Sequence, residues 1–267
     1  MDKIKIMVAV HKDVPVYHNE VYMPIQVGKA LSKVDLGYQG DDTGDNISVK
    51  NPYYCELTAQ YWGWKNLDCQ YIGLCHYRRF FKKQFTSDNI DDEMSDCDII
   101  LANPLRLSRS ILKFWKCELI PEDIELFNYF MLNNNSINSS DFSNYFARNN
   151  CFYPCNMFVC KKELFNEFAS WQFPILQEFE KILPFSRYSR ENRILGYLGE
   201  GLLPYYAHFR KWRIKTMPLV PMIGEKKYLL SQTIVKRVIN NILFLLSDKS
   251  LMDEAMKVGL KNDGFIK

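Results

Sequence analysis

The sequence has few of the features that settle function quickly. No stretch approaches the ~20 apolar residues that a membrane-spanning helix needs, so the chain reads as soluble or peripheral rather than integral. Histidine is scarce, with 4 in 267 residues, and none stands near the most closely spaced cysteines, Cys151, Cys155 and Cys160. Those three match no paired CxxC spacing, which removes a zinc site of the common kind. Net charge is small as well, at +3 with pI ≈ 8.3. A nucleic-acid binder with a strongly basic surface is therefore excluded, and any anion must be recognised by a local cluster. The N-terminus lacks a signal-peptide pattern, so the 8 cysteines are expected to be reduced thiols of a cytosolic chain.

What is present is ample material for a core. Hydrophobic residues make up 47% of the chain, enough for one compact unit of this length. Aromatics reach 15%, which suits either a site that stacks on base or sugar rings or an aromatic-rich core.

The most informative stretch is Tyr71 to Phe80, YIGLCHYRRF. Its first half is continuously apolar, as in a parallel strand covered on both faces. The second half turns abruptly to His76, Tyr77, Arg78 and Arg79. Ligands of open α/β sheets bind beyond the carboxyl ends of the strands, so this transition marks a candidate anion site. Arginines at a strand end can equally pair with surface carboxylates. Upstream, Lys3 to Val10 reads as a first strand that breaks at His11, Lys12 and Asp13, the polar break that follows the first strand of a nucleotide-binding α/β domain. Tyr22 to Leu31 is expected to be short helix or irregular chain. Asp41, Asp42, Thr43 and Asp45 surround Gly44 in a loop that either forms a tight turn or meets ribose hydroxyls or a divalent cation. Tyr53 to Lys65 reads as one helix, with Glu56 in its first turn, where a carboxylate suits the helix dipole.

Further along, residues 98–104 form a strand closed by Pro104, and residues 105–150 a helical and loop insertion with NNNSINSS as a loop. Tyr153 to Cys160 reads as a buried strand whose polar Asn156 needs a partner or a ligand. Helices are expected over Lys162 to Leu183 and Ser189 to Tyr206. In the second, Glu200 lies between Gly199 and Gly201, with Gly196 one turn earlier, and small residues there would let another group approach the carboxylate. Glycine costs roughly 1 kcal/mol in an exposed helix interior, so a packing or functional reason is expected. Residues 208–221 form a basic strand, and Thr233 to Leu246 an amphipathic helix with Lys236 and Arg237, suited to core packing or to an anionic membrane surface. The rhythm of helix followed by buried strand favours an α/β fold with a mostly parallel central sheet.

Taken in order, DDTGDNIS with NPYYCELTAQYWGWKN, then YIGLCHYRRF, DIILANP, FYPCNMFVCKKELF and NRILGYLGEGLL resemble bacterial capsule and O-antigen glycosyltransferase domains long classed as of unknown function. Some members of that group are galactofuranosyltransferases. The resemblance runs from about Met1 to Val220. It implies a GT-A-like (Rossmann-like) domain over residues 1–224 and a C-terminal helical extension over 225–267. It also implies transfer of galactofuranose or galactose from a UDP-sugar donor to a hydroxyl of a lipid-linked glycan, in the cytoplasm at the inner face of the membrane. Lipid-linked acceptors together with the basic, apolar C-terminal helix lead to an expectation of peripheral membrane contact through 233–246, and the small net charge to an expectation of no nucleic acid partner. Glu200 is then the expected base of an inverting reaction. His11, Lys12, Asp41, Asp42, Thr43, Asp45, His76, Tyr77, Arg78 and Arg79 are candidates for the donor and its diphosphate. Asn156, Glu56 and Arg193 are candidates for acceptor or sugar contact. The Asp96-Cys97-Asp98 triplet stands at the start of its strand, whereas the metal-diphosphate clamp of GT-A enzymes stands at a strand's exit. A Mn or Mg ion is therefore an open cofactor without assigned ligands. A retaining transferase of the same fold and an inactive nucleotide- or glycan-binding module are the alternatives.

Overall fold

The computed structural model describes residues 1–222 and 231–266. The expected boundary after residue 224 lies outside them. In chain order the elements are β1 (Asp2–Val10), β2 (Tyr22–Gln26), β3 (Gln39–Gly40), α1 (Asn51–Tyr54), α2 (Leu57–Asn66), β4 (Cys69–His76), β5 (Arg79–Phe81), α3 (Ile90–Glu93) and β6 (Ile99–Ala102). There follow β7 (Leu105–Arg106), α4 (Ile111–Glu118), α5 (Pro121–Leu132), α6 (Ser139–Ala147), β8 (Cys151–Phe152), β9 (Phe158–Lys161) and α7 (Lys162–Glu180). The chain continues with α8 (Ile194–Phe209), β10 (Ile214–Met217), β11 (Leu219–Pro221), α9 (Ile234–Leu246) and α10 (Glu254–Asn262).

Two compact units divide these elements. The first comprises Met1–Asn103, Tyr153–Pro174 and Arg193–Ser231. Among the described residues it holds a nine-stranded sheet, with main order β10-β6-β9-β4-β1-β2-β3 and with β5 joining β4 to β11. Strands β3, β2, β1 and β4 run parallel, as do β6 and β10, while β9 is antiparallel to both of its neighbours. The expected α/β fold with a mostly parallel sheet and flanking helices is therefore observed. β1 and β4 are central because both are apolar on both faces: Ile6, Met7, Val8 and Val10, and Ile72, Leu74 and Cys75, are each at most 1% exposed. Beside the sheet, α7 lays Phe165 on Phe158 with ring centroids 5.1 Å apart, and Phe168 packs on Tyr206 of α8 at 5.5 Å.

Several local expectations are corrected. Tyr22 to Gln26 is a strand, although it contains Pro24. That proline pairs with Val8 on one side, and the pairing of β2 with β3 begins only at Ile25, so the missing N–H breaks no ladder bond. The single helix expected over Tyr53 to Lys65 is two, interrupted at Cys55, whose φ is 51°. YIGLCHYRRF is a strand, a turn and a second strand, with His76 paired to Arg79. In the 153–160 stretch the ladder begins only at Phe158, because Cys155 and Asn156 take positive φ values of 81° and 51°. The helix carrying Glu200 starts at Ile194, after a 3-10 turn over Glu191–Arg193.

The second unit comprises Pro104–Phe152, Ile175–Asn192 and Gln232–Lys267, so the insertion and the C-terminal extension, expected separately, share one unit. Its centre is aromatic: Trp115 lies 5.0 Å from Phe146, and Phe127 lies 5.1 Å from Phe179, centroid to centroid. A buried Lys116–Glu125 ion pair links α4 to α5, and Glu125 also accepts the Asp253 backbone N–H at 2.6 Å.

One glycine of the sheet is required by space. A Cβ on Gly73 of β4 would stand 2.8 Å from the Phe158 carbonyl oxygen and 3.0 Å from Val159 Cγ2. The obstacle is the backbone of a paired strand and cannot rotate away. Gly73→Ala is expected to destabilise the protein by about 1–3 kcal/mol, read as a lowered urea midpoint at unchanged m-value; an unchanged midpoint would contradict this packing.

Candidate active site

Four short pieces of chain deliver side chains to one place in the first unit. The break between α1 and α2 is secured by Asn51, whose Nδ2 donates to the Cys55 carbonyl at 2.8 Å and to Thr58 Oγ1 at 3.1 Å. Cys55 and Glu56 sit at this break instead of inside a helix. At the end of β4, the Arg78 backbone N–H donates to His76 Nδ1 at 3.2 Å, closing a turn that presents Arg78 and Arg79. Before β9, Asn156 occupies the left-handed region, which asparagine tolerates better than most residues. Its Nδ2 donates to Glu56 Oε1 at 2.9 Å and to the Gly196 carbonyl at 3.3 Å, so one amide ties three of the pieces together.

The fourth piece is the start of α8, and its glycines explain how closely it comes. A Cβ on Gly196 would lie 3.0 Å from Cys55 Cβ and Sγ, and one on Gly199 would lie 2.5 Å from Leu57 Cδ1. These positions let the helix rest directly on the α1–α2 break. Glu200, on the next residue, accepts the Cys155 backbone N–H.

The result is a cavity of about 230 Å³ lined by Cys55, Glu56, His76, Arg78, Arg79, Cys155, Arg193, Gly196, Tyr197 and Glu200. Three guanidinium groups and two carboxylates share it. Burial pushes the Glu200 carboxyl up to about 7, and the charge of Glu56 adds to this; the Cys155 N–H, Arg79 and Arg193 pull the other way. Burial, with Arg79, Arg78, His11 and Arg193 nearby, drives the His76 pKa far below the usual imidazole value. His76 is accordingly neutral, and because Nδ1 accepts a bond its proton resides on Nε2, making it a donor. Burial also lifts the thiols of Cys55 to about 11 and Cys155 to about 12, so neither is a thiolate nucleophile at neutral pH. Arg193 Nε donates to Cys55 Sγ at 3.1 Å. Arg78 lines the cavity, and its Nε is buried without a hydrogen-bond partner.

Of the residues singled out from sequence, Glu200, His76, Arg78, Arg79, Glu56 and Arg193 line this cavity. Asn156 supports it from behind through Glu56. Tyr77 is buried, 5.5 Å from the exposed His11 ring, and His11 lies 6.2 Å from His76. Although one side of the ring is open to solvent, partial burial of the other side and the cations Lys12, Arg78 and Arg193 lower the pKa of His11, so it stands at the rim of the same charge cluster. Lys12 is exposed beside it.

The Asp41 loop behaves differently. Asp41 is fully buried and accepts from the Gly28 and Lys29 N–H groups at 2.9 and 3.0 Å, from Thr58 Oγ1 at 2.6 Å and from Ser48 Oγ. Thr43 accepts from Trp62 Nε1 at 2.9 Å, and Asp45 from the Tyr61 hydroxyl at 3.1 Å. Asp42 is exposed. None of the four lines the cavity, and the partners of Asp41, Thr43 and Asp45 are protein groups that hold the loop. Among the described residues, no three His, Cys, Asp or Glu side chains are grouped so as to hold a metal ion. Cys55, Cys155 and Tyr197 entered the site without a sequence signal; Gly196 had one in its spacing from Glu200. The Asp98 carboxylate is taken by Arg213 at 2.9 Å and Asp96 pairs with Lys215 at 3.4 Å.

A raised carboxyl pKa also affects stability. The folded state holds the Glu200 proton up to about 7, whereas an unfolded glutamate releases it near 4.3. Stability contributed at this position therefore falls as pH rises between those values and levels off above the higher one. Glu200→Gln removes the titration. The variant is expected to gain thermal stability relative to the native chain as pH rises from about 4.5 to about 7, with no difference below that window; a constant difference across pH would contradict the shift.

The family described as "Domain of unknown function (DUF4422)" matches residues 5–211, most of the chain, and the chain belongs to it. No curated protein matches. Among solved structures, the chain is similar to the WbbM bifunctional glycosyltransferase in its apo form, with 27% identity and a TM-score of 0.74. That match covers 84% of this chain and 46% of the other, so the chain spans less than half the length of that relative. The mostly parallel sheet with flanking helices is thus a GT-A-like fold.

Proposed function

We propose that this DUF4422 chain is a glycosyltransferase. It moves a galactofuranosyl or galactosyl group from a UDP-sugar to a hydroxyl of a lipid-linked glycan in capsule, O-antigen or exopolysaccharide synthesis at the cytoplasmic face of the membrane. The observation that carries the reading is the meeting, around one cavity, of a carboxyl lifted to about 7 with three arginines and a neutral histidine donor. Similarity to a bifunctional glycosyltransferase supports it.

The chemistry needs a proton acceptor, an in-line donor and neutralisation of the departing diphosphate. Ionised Glu200 takes the proton of the acceptor hydroxyl as its oxygen attacks the anomeric carbon. The bond from that carbon to the diphosphate oxygen breaks on the opposite side, and configuration inverts. Arg78, with its unpartnered Nε, together with Arg79 and Arg193, receives the charge of the leaving UDP, and His76 donates from Nε2. Guanidinium groups suit phosphate oxygens because their fork can donate two parallel bonds. The described residues present no cluster of metal ligands, so no step is assigned to Mn²⁺ or Mg²⁺. Glu56, a second carboxylate on the cavity held by Asn156, supports one alternative: a retaining transfer in which Glu200 only orients the acceptor. The anomeric configuration of the product separates the two.

Screening UDP-sugars against a lipid-linked acceptor tests the function directly, and absence of transfer from every UDP-sugar would leave a binding module. Glu200→Gln is expected to lower kcat by about 10²–10⁴-fold while UDP affinity, read by calorimetry, stays within a few fold. In the native enzyme kcat should rise with pH through about 7, where the base becomes ionised; a flat profile or near-normal Glu200→Gln turnover would remove Glu200 as base. Turnover should survive EDTA, and Arg78→Ala should weaken UDP binding by about tenfold or more. Loss of activity in EDTA with recovery on Mn²⁺ would transfer the diphosphate's neutralisation to a cation.

A further inference from the structure

Helix α9 is built inside out. A surface helix of a globular protein ordinarily buries its apolar stripe and exposes its polar face. In α9 the eight aliphatic residues between Ile234 and Leu246 are each 47–81% exposed. Ile234, Val238, Ile242 and Leu245 follow helical spacing along one row, with Val235 and Leu246 in the row beside it, forming a continuous stripe. The polar side is the anchored one. Asn240 Nδ2 donates to the Arg106 carbonyl at 2.6 Å, and Asn241 Oδ1 accepts from Asn150 Nδ2 at 3.0 Å. Phe244, half-buried on that same side, carries Lys249 over its ring at 4.3 Å. Single exposed aliphatics need no explanation, but a contiguous exposed stripe marks a surface that something covers.

The charge pattern says what covers it. No Asp or Glu occurs between Ser231 and Ser247, and Lys236 and Arg237 are exposed on the helix. Leu243 borders a cavity of about 340 Å³ with Ser108, Arg109, Lys113, Ser247 and Asp248. There Asp248 is committed to Lys113 at 2.8 Å, while the exposed Arg109 donates to Cys117 Sγ at 2.7 Å. Packing against a second copy of the same face would bring Lys236 and Arg237 toward their own images with no carboxylate on the helix to pair them. An anionic phospholipid surface supplies both complements, acyl chains for the stripe and phosphates for its flanking cations. No helix among the described residues is long and apolar enough to cross a membrane, and a helix of this length lies in the interface instead.

We propose that α9 is an interfacial anchor that seats its aliphatic face in an anionic lipid leaflet, with Lys236, Arg237 and Arg109 at headgroup level. The anchor is independent of the reaction that the first unit performs, and its test requires no turnover. Full-length protein is sedimented with vesicles of phosphatidylcholine, alone or mixed with phosphatidylglycerol, and its mass in solution is read by light scattering. The native protein should bind the anionic vesicles and bind the neutral ones far more weakly. Val238→Asp with Ile242→Asp, both outward-facing, should abolish binding to either, and Lys236→Glu with Arg237→Glu should lower binding to anionic vesicles by about tenfold or more. Protein left in the supernatant with anionic vesicles would overturn the proposal, as would unaltered binding by either variant. A native dimer that Val238→Asp with Ile242→Asp turns into monomer would assign the stripe to a second copy and equally overturn it.

Discussion

The candidate site depends on one close approach, that of α8 to the break between α1 and α2. Without side chains at Gly196 and Gly199, the helix can rest on Cys55 and Leu57. Only at that separation can the Asn156 amide bond both the Gly196 carbonyl and Glu56, and the Glu200 carboxylate take the Cys155 N–H. Glycine weakens an isolated helix by roughly 1 kcal/mol per position. The cost is tolerated here because tertiary packing, not propensity, holds α8: its Ile194, Leu195, Leu198 and Leu202 are at most 2% exposed.

The same closeness sets the electrostatics. Two carboxylates and three guanidinium groups enclosed around a small cavity cannot all be satisfied by water. Burial therefore raises Glu200 and keeps His76 neutral, while the arginines limit the rise of Glu200. A weakly acidic carboxyl beside strong cations is the pairing on which the proposed proton-accepting, anion-releasing reaction rests. The Asp41 loop, rich in carboxylates, has the opposite fate: Asp41 is saturated by two backbone N–H groups and two hydroxyls, which makes it a strut.

The second unit shows a comparable inversion between composition and role. The pattern of α9 announces an amphipathic helix, and helices of that pattern usually bury their apolar side. Here Asn240 and Asn241 make the attachment, so the aliphatic side is left outward. The hydrophobic periodicity was legible in the sequence, but its direction was not, because nothing local states which face a distant segment will bond.

Residue order alone carried the main buried strands and long helices, the apolar run of Tyr71 to Cys75 leading into His76, Arg78 and Arg79, and the order of motifs that marks the family. Those features are carried by burial periodicity and by residue order, both local properties. Which polar groups converge was settled by long-range packing. The bonds that assemble the cavity join residues 45 and 100 positions apart in the chain. The breaks that aim Cys55, Glu56 and Cys155 into it rest on positive-φ backbone at non-glycine residues, which propensity argues against. Such conformations are held by the surrounding packing, so they become visible only once α8, β9 and the α1–α2 break stand together.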